Sequence, residues 1–385
     1  MSKYAFLLTI TLLLASDALH AAQGGKVTTL RVPDGGIQPQ VAVDEKGIVH
    51  MIYYKGEPAN GDIFYVKSTD GQKFSIPIQV NSISGSVIAM GNIRGAHIAL
   101  GKGGRVHVAW MGSGKAPKGA NGASPMLYTR SNDGGTAFEP ERNVMQYATG
   151  LDGGGTVAAD GAGNVYVAWH ADAGAKSEAA RQVFLAKSTD DGKTFAKEIP
   201  AFKQMTGACG CCGMRAICNS KGELYILYRT AMGAGKMPDE RDMFLLVSKD
   251  KGATFTGTDL HPWKLNMCAM STAQLSDSSA GTLGTWETQG QIFYTKITNG
   301  IPSAPISAPG GLGKRKHPAV AGNNTGDVLL AWTNGMAWEK GGSVSWQVFD
   351  KSGKPSEEKG NAEGVPANSL VAAFARPDGT FIVVY

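Results

Sequence analysis

The stretch STDDGKTF, from Ser188 to Phe195, decides the fold because the chain repeats it. Three of four copies share the pattern Ser-x-Asp-x-Gly-x-x-Phe, and the first copy is one residue shorter. In such a turn the Asp carboxylate accepts hydrogen bonds from backbone N–H groups, Gly supplies a positive φ, and the aromatic ring packs beneath. Each copy therefore predicts a tight β-hairpin. The starting serines are 63, 57 and 60 residues apart, and the other copies are Ser68–Phe74, Ser131–Phe138 and Ser248–Phe255.

A second repeated element precedes each of these turns. It reads as an apolar strand, a Gly-containing turn and a second strand that ends in an aromatic residue, as in VAADGAGNVYVAWH. The structural interpretation of these aromatics is packing between neighbouring repeats, and the functional alternative is stacking against a ligand. They recur at intervals of 57, 59, 59, 58, 46 and 53 residues, at Tyr53, Trp110, Trp169, Tyr228, Trp286, Trp332 and Tyr385.

Units of this length with four short strands are typical of the blades of a β-propeller. The sequence predicts an all-β protein with one propeller domain over residues 23–385 and seven four-stranded blades. Six blades is the alternative count, because the fifth and seventh units match weakly. The chain ends after the second strand of the seventh unit, so we expect the N-terminal strand Val27–Val32 to complete that blade and close the ring.

Residues 1–22 have the layout of a secretory signal peptide, with Lys3, an apolar run and small residues ending at Ala22. The apolar run is too short for a stable membrane anchor. We therefore expect a soluble periplasmic or secreted protein without a membrane anchor. The net charge of +5 on 385 residues, without a run of basic residues, argues against a nucleic-acid partner. The sequence does not define an oligomeric state.

The repeated Ser-x-Asp-x-Gly-x-x-Phe turns resemble the Asp-box, or BNR repeat, of the sialidase superfamily. The resemblance extends through the repeat over nearly the whole mature chain, and it is specific for fold rather than function. Family members have six blades, so a count of seven departs from the family. The resemblance implies a carbohydrate ligand at the axial face. If the protein is an enzyme, it implies a glycoside hydrolase of the exo-sialidase type, which needs no cofactor.

Sialidase chemistry also implies site residues. The family clamps a substrate carboxylate with three arginines, and Arg94, Arg215 and Arg315 precede or begin the predicted innermost strands of units two, four and six. Asp152 and Glu287 are the candidate acid and base. The Arg-Ile-Pro motif and the late tyrosine nucleophile of the family are missing, which speaks against activity. The bland alternative is that the arginines are ordinary surface charges.

Three of the five cysteines fall within ACGCCGMRA, Ala208–Ala216. Aligning the units on their second strands puts this segment and NMCAMS, Asn266–Ser271, before the innermost strands of neighbouring units. The candidate soft-metal ligands are Cys209, Cys211, Cys212, Met214 and Cys268. Sulfur ligands favour copper(I) and, to a lesser degree, zinc.

Three interpretations of the cysteines compete. The first is a disulfide from Cys209 or Cys211 to Cys268, because an exported protein enters an oxidising compartment. A copper or zinc site is the second, and a redox thiol pair or an unpaired structural cysteine is the third. For the whole protein, the alternatives to a carbohydrate-binding or carbohydrate-hydrolysing propeller are a copper-binding propeller and a protein-interaction scaffold.

Overall fold

The computed structural model describes residues 25–119, 122–172, 177–233, 238–279 and 281–385. The predicted signal peptide lies outside the described residues. Two short 3-10 turns, Pro33–Gly35 and Lys102–Gly104, are the helical elements of the described chain. None of the described helical segments has the length and apolar character that a membrane crossing needs.

Within the described residues, twenty-eight strands form seven sheets. In chain order they are β1 (Val27–Leu30), β2 (Ile37–Val43), β3 (Val49–Glu57), β4 (Asn60–Ser68), β5 (Ile78–Gln79), β6 (His97–Leu100), β7 (Val106–Met111), β8 (Met126–Arg130), β9 (Arg142–Asn143), β10 (Gly155–Ala159), β11 (Val165–Ala171), β12 (Gln182–Ser188), β13 (Ile199–Pro200), β14 (Arg215–Cys218), β15 (Leu224–Arg229), β16 (Met243–Ser248), β17 (Thr256–His261), β18 (Gln274–Ser278), β19 (Gly281–Thr288), β20 (Gln291–Thr298), β21 (Ile301–Pro302), β22 (Ile306–Ser307), β23 (Arg315–Gly322), β24 (Val328–Asn334), β25 (Gly342–Phe349), β26 (Pro355–Val365), β27 (Ala372–Ala375) and β28 (Phe381–Val384).

Six of the sheets are antiparallel blades built from consecutive strands. Blades 1 to 4 are β2–β5, β6–β9, β10–β13 and β14–β17. Blade 5 is β18–β21 with β22 also paired to β20, and blade 6 is β23–β26. The innermost strands β2, β6, β10, β14, β18, β23 and β27 contact their neighbours in a closed cycle. The structure therefore confirms the predicted all-β propeller with seven blades.

Blade 7 closes the ring with strands from both ends of the chain. β27 and β28 form its inner hairpin, and β1 pairs with β28 in parallel, with Val27 opposite Phe381. The N-terminal strand thus completes the last blade, as the sequence predicts. This sheet has three strands rather than four, because only β1 is added outside β28.

The repeated aromatics occupy equivalent positions on the second strand of each blade. Six lie in β3, β7, β11, β15, β19 and β24, and Tyr385 directly follows β28. All seven are buried, and they pack in hydrophobic clusters that join neighbouring blades. For example, Trp169 contacts a cluster that also contains Tyr128 of blade 2. The packing interpretation of these aromatics is therefore correct.

The repeated turns connect the third and fourth strands at the outer edge of each blade. In blade 4 the Asp250 carboxylate accepts hydrogen bonds from the Thr254 N–H at 2.9 Å and the Ser248 hydroxyl at 2.7 Å. The Thr254 hydroxyl and N–H and the Ser248 hydroxyl hold the pKa of Asp250 at about 2. Asp70 and Asp190 accept equivalent bonds.

The turn of blade 2 differs from the prediction. Asn132, not Asp133, accepts the backbone N–H of Thr136, at 3.0 Å. Asp133 instead pairs with Arg105 at 2.5 Å, and 95% of its side chain is exposed. The prediction that Asp133 accepts backbone bonds in its turn is wrong, because Arg105 draws this carboxylate outward and the neighbouring amide takes its place.

Candidate functional site

The ring has two faces, one where the innermost strands begin and one where they end. A cavity of about 850 Å³ opens on the strand-end face and follows the axis inward. Its wall carries polar and charged groups from several blades. These include Asp44, Lys46, Asp277, Asn323, Asn324 and Arg376.

Arg215 reaches this cavity from the first position of β14. Its side chain is 5% exposed, and it donates a hydrogen bond to Gln40 Oε1 of blade 1 at 2.8 Å. Gln274 of blade 5 also approaches Gln40 Oε1, at 3.4 Å. Arg215 therefore extends across the axis toward blade 1.

The Arg215 guanidinium has no compensating charge in the described part of the chain. Neither an ion pair to this side chain nor a partner for its Nε is present among the described residues. Burial alone lowers its pKa to about 10. At neutral pH the axis thus holds a buried cation whose only side-chain partner among the described residues is an amide.

Two histidines on innermost strands add no positive charge there. Burial and the nearby Arg215 charge lower the pKa of His97 well below its usual value. Burial lowers the pKa of His317 to about 3, and its Nδ1 lies 3.3 Å from Thr272 Oγ1. Both imidazoles are neutral at pH 7, so neither adds a charge beside Arg215.

The other two candidate arginines have other partners. Arg94 donates to the Asp152 carboxylate at 2.8 Å and to the Asp152 carbonyl at 2.7 Å. Arg315 donates to Gln291 Oε1 at 2.6 Å and lies over the Trp332 ring, 5.1 Å from its centroid. No hydrogen bond in the described ranges joins two of the three arginines. The structure therefore assigns them to three separate sets of contacts.

The two candidate carboxylates also lie in separate surroundings. Asp152 is paired with Arg94 of blade 2. Glu287 is buried at the end of β19, where its Oε1 accepts the Gly290 N–H at 2.6 Å and its carbonyl accepts a bond from Arg229. Across the described residues no contact joins the two carboxyl groups. The contacts that the structure shows thus do not form an acid–base pair.

The structure gathers the cysteines on the strand-start face, just before β14. Cys209 Sγ lies 3.0 Å from Cys212 Sγ and 3.4 Å from Cys211 Sγ, and all three sulfurs lie within 4.8 Å of one another. The three side chains are buried. All five cysteines of the described chain are free thiols.

Blade 5 supplies the neighbouring sulfur. Cys268 is exposed, and the adjacent Ala269 packs in one cluster with the three thiols. The Gly213 N–H donates to the Ser271 carbonyl at 3.0 Å, which ties the two segments together. Met214 differs from the prediction, because its side chain packs in the core between blades 3 and 4, with Tyr166 and Tyr228. The structure therefore places Cys268, but not Met214, beside the thiols.

The three clustered thiols differ in acidity. Hydrogen bonds from Cys209 and Cys212 lower the pKa of Cys211, since they stabilise its thiolate. The hydrogen bond between Cys209 and Cys211 raises the pKa of Cys209 well above the usual value of a thiol. Burial raises the pKa of Cys212 to about 12. The pKa of Cys211 is thus shifted downward, whereas the pKa values of Cys209 and Cys212 are shifted upward.

Two charged side chains beside the thiols were not identified from the sequence. Arg241 is fully buried and pairs with Glu178 at 2.7 Å. Glu178 in turn accepts the Gly210 N–H at 2.9 Å, which fixes the loop between Cys209 and Cys211. Although burial favours a neutral guanidine, interactions with Cys209 and with the Glu178 carboxylate raise the pKa of Arg241. Neither residue belongs to a repeated motif, so no sequence pattern pointed to them.

The sequence matches no protein-family model and no curated protein. Solved propeller structures do resemble the fold. The Hadza microbial sialidase Hz136 is 15% identical, with a TM-score of 0.51 over 85% of this chain and 74% of that one. The α-L-arabinanase of Penicillium chrysogenum, complexed with arabinobiose, is 12% identical, with a TM-score of 0.51 over 84% of this chain and 95% of that one. At these identities the likeness establishes the fold.

Proposed function

We propose that this protein is an exported propeller that binds an acidic carbohydrate in the axial cavity, with Arg215 pairing with the ligand carboxylate. The observation that carries the proposal is the buried guanidinium without a carboxylate partner. A buried charge is costly unless it is paired and hydrogen-bonded. A carboxylate that forms a bidentate pair with Arg215 removes that cost in the bound state.

The cavity suits a sugar in size and chemistry. Its volume of about 850 Å³ falls within the range of small-molecule sites. Asn323 and Asn324 offer amide groups for hydroxyls, while Asp44 and Lys46 lie at the cavity mouth. A sialidase and an arabinanase share the fold, and both are carbohydrate-active enzymes. These features support a carbohydrate, and Arg215 selects one that carries an acid.

The proposal is for binding rather than hydrolysis. A glycosidase needs a general acid and a second catalytic group on opposite sides of one glycosidic bond. Asp152 is engaged by Arg94, and Glu287 is buried against Gly290 and Arg229. Since neither carboxylate is among the residues that line the cavity, we expect no turnover of a fluorogenic sialoside.

Isothermal titration of the mature protein with N-acetylneuraminate, glucuronate and glucose tests the proposal. We expect the acids to bind roughly 10- to 100-fold more tightly than glucose, the range of one charged hydrogen-bonded pair. Arg215→Met should remove this preference. Arg315→Gln is the matched control, because Arg315 contacts Gln291 and Trp332 rather than the cavity.

Two results would contradict the proposal. One is equal affinity for glucose and the acids, and the other is an acid preference that survives in Arg215→Met. Sialoside turnover that Arg215→Met abolishes would replace binding by hydrolysis. Export is a separate part of the proposal and rests on residues 1–22. N-terminal sequencing of the exported protein should show that cleavage follows Ala22.

A further inference from the structure

The geometry points to a second site, on the strand-start face, in which Cys209, Cys211 and Cys212 together bind one copper(I) ion. This site is independent of the proposed carbohydrate ligand. It uses a part of the chain that the axial cavity does not contain.

The sulfur positions fit a shared ion. Two sulfurs bound to one ion are separated by at most roughly 4.6 Å, twice a metal–sulfur bond of about 2.3 Å. The Cys209 sulfur lies 3.0 Å from Cys212 Sγ and 3.4 Å from Cys211 Sγ. All three sulfurs lie within 4.8 Å of one another. Small side-chain rotations therefore suffice to place one ion among them.

The surroundings offset the charge of such a complex. Three thiolates and one copper(I) ion carry a net charge of minus two. Arg241 is fully buried, and its Nε and Nη1 have no hydrogen-bond partner in the described chain. Arg229 also has an unpartnered Nε, and its Nη1 donates to the Arg241 carbonyl at 2.6 Å. Two guanidinium groups beside the thiols thus supply positive charge and free N–H donors.

The donor set favours copper(I) over zinc. Three buried sulfurs satisfy a soft ion, whereas structural zinc sites close with four ligands. The nearby His170 is not available through Nε2, because that atom accepts the Gly153 N–H at 3.0 Å. The remaining wall is apolar, formed by Ile93, Ala231 and Trp263. These apolar side chains limit the access of water to the three sulfurs.

Cys268 offers the route for the ion. It is exposed, and the adjacent Ala269 packs in one cluster with the three buried thiols, so Cys268 lies at their surface side. An incoming copper(I) ion can bind first to Cys268 and then exchange onto the three buried sulfurs as their protons are released. Cys268 is therefore needed for rapid loading rather than for retention.

The test uses reduced, anaerobic, full-length mature protein titrated with copper(I) against the chelator bicinchoninate. We expect one equivalent of copper(I) and a thiolate-to-copper charge-transfer absorption. Cys209→Ser and Cys212→Ser should weaken binding roughly 100-fold or more, beyond the loss caused by altering an outer-shell partner. Cys218→Ser is the matched control, since Cys218 lies at the other end of β14 and should retain full binding.

Folding of the serine variants is checked by circular dichroism and by acidic-sugar binding, which depends on Arg215 and not on the thiols. X-ray absorption of the copper-loaded wild-type protein is a second measurement that needs no variant. It should show three sulfur neighbours. Nitrogen or oxygen neighbours, no copper retained against bicinchoninate, tighter binding of zinc than of copper(I), or equal losses in Cys218→Ser and Cys212→Ser would each overturn the proposal.

Discussion

A charged side chain at the outer edge of the ring has a full set of hydrogen-bond partners, whereas the buried charge at the axis does not. At the outer edge of blade 3, Asp190 accepts bonds from the Thr194 N–H, the Thr194 hydroxyl and the Ser188 hydroxyl. At the axis, the buried Arg215 cation has an amide as its only side-chain partner in the described chain. The Asp190 charge is thus satisfied by hydrogen bonds within its own turn, whereas the described chain offers the Arg215 charge no carboxylate partner.

This difference distinguishes residues that recur in successive blades from residues that occur only once. Ser-x-Asp-x-Gly turns and second-strand aromatics recur, because every blade must form the same hairpin and cover the same neighbour. Arg215, Arg241 and the clustered cysteines each occur once. We therefore expect changes at repeated positions to alter stability, and changes at single positions to alter ligand or metal binding.

The largest expected effect is at a repeated aromatic. Trp169→Ala removes a fully buried side chain from the core between blades 2 and 3 and breaks its bond to the Ala148 carbonyl. We expect a loss of about 3–5 kcal/mol in the free energy of unfolding, measured by urea denaturation. Acidic-sugar affinity of the folded fraction should be unchanged. A fall in affinity at unchanged stability would remove the distinction between repeated and single positions.

The second prediction concerns pH. His317 has a pKa of about 3 in the folded state and about 6.5 in the unfolded state, because burial disfavours its charged form. The unfolded chain thus binds a proton below pH 6.5 that the folded chain does not. The contribution of His317 to the free energy of unfolding is fully present above pH 6.5. It is lost as the pH falls toward 3, by roughly 1.4 kcal/mol per pH unit.

The variant His317→Asn should flatten this part of the profile. Asn suits the positive φ of 49° at this position. Urea denaturation at several pH values between 7 and 4 gives the slope for both proteins. The outer carboxylates act in a lower window, because Asp70 and Asp250 have pKa values of about 2 and lose their contribution as the pH falls from about 4 to about 2. An unchanged slope between pH 6 and 4 in His317→Asn would contradict the assignment.

Repetition also sets how much of the molecule the sequence could predict. The seven blades and the buried second-strand aromatics followed from spacing, because each is dictated many times over. The ring closure by β1 followed from the seventh unit, which has only two strands of its own in the sequence pattern. Asp133 failed because Arg105, which is not part of the repeated turn, pairs with it. The sequence pattern of one turn cannot reveal that a side chain from another turn pairs with its carboxylate.

The candidate site was less predictable for a geometric reason. Successive side chains in a strand point to opposite faces, so a shift of one residue in the alignment redirects a side chain. Arg215 faces the axial cavity, whereas Arg315 lies against Trp332 in the space between blades 5 and 6. Glu178 and Arg241 precede the third strands of different blades and meet only in the folded ring.

The third prediction compares two arginines on or near innermost strands. Arg215→Met removes an unpaired buried charge, so we expect the free energy of unfolding to rise by about 1–4 kcal/mol. Arg94→Met should lower it slightly, because Asp152 then loses its partner. Thermal and urea denaturation at pH 7 distinguish the two outcomes. A destabilised Arg215→Met protein would mean that this guanidinium supports the fold rather than awaiting a ligand.

The smallest effect is expected within the outer edge itself, between two turns that look alike in sequence. Asp190→Asn removes the charge that accepts bonds from Ser188 and Thr194, and we expect a loss of about 1 kcal/mol because the group is largely solvated. Asp133→Asn should leave the melting temperature unchanged, since Asn132 already closes that turn and the Asp133–Arg105 pair is exposed. Asn132→Ala should then behave like Asp190→Asn. Equal losses for Asp133→Asn and Asp190→Asn in urea denaturation would show that the two turns use the same residue, against the hydrogen bonds seen here.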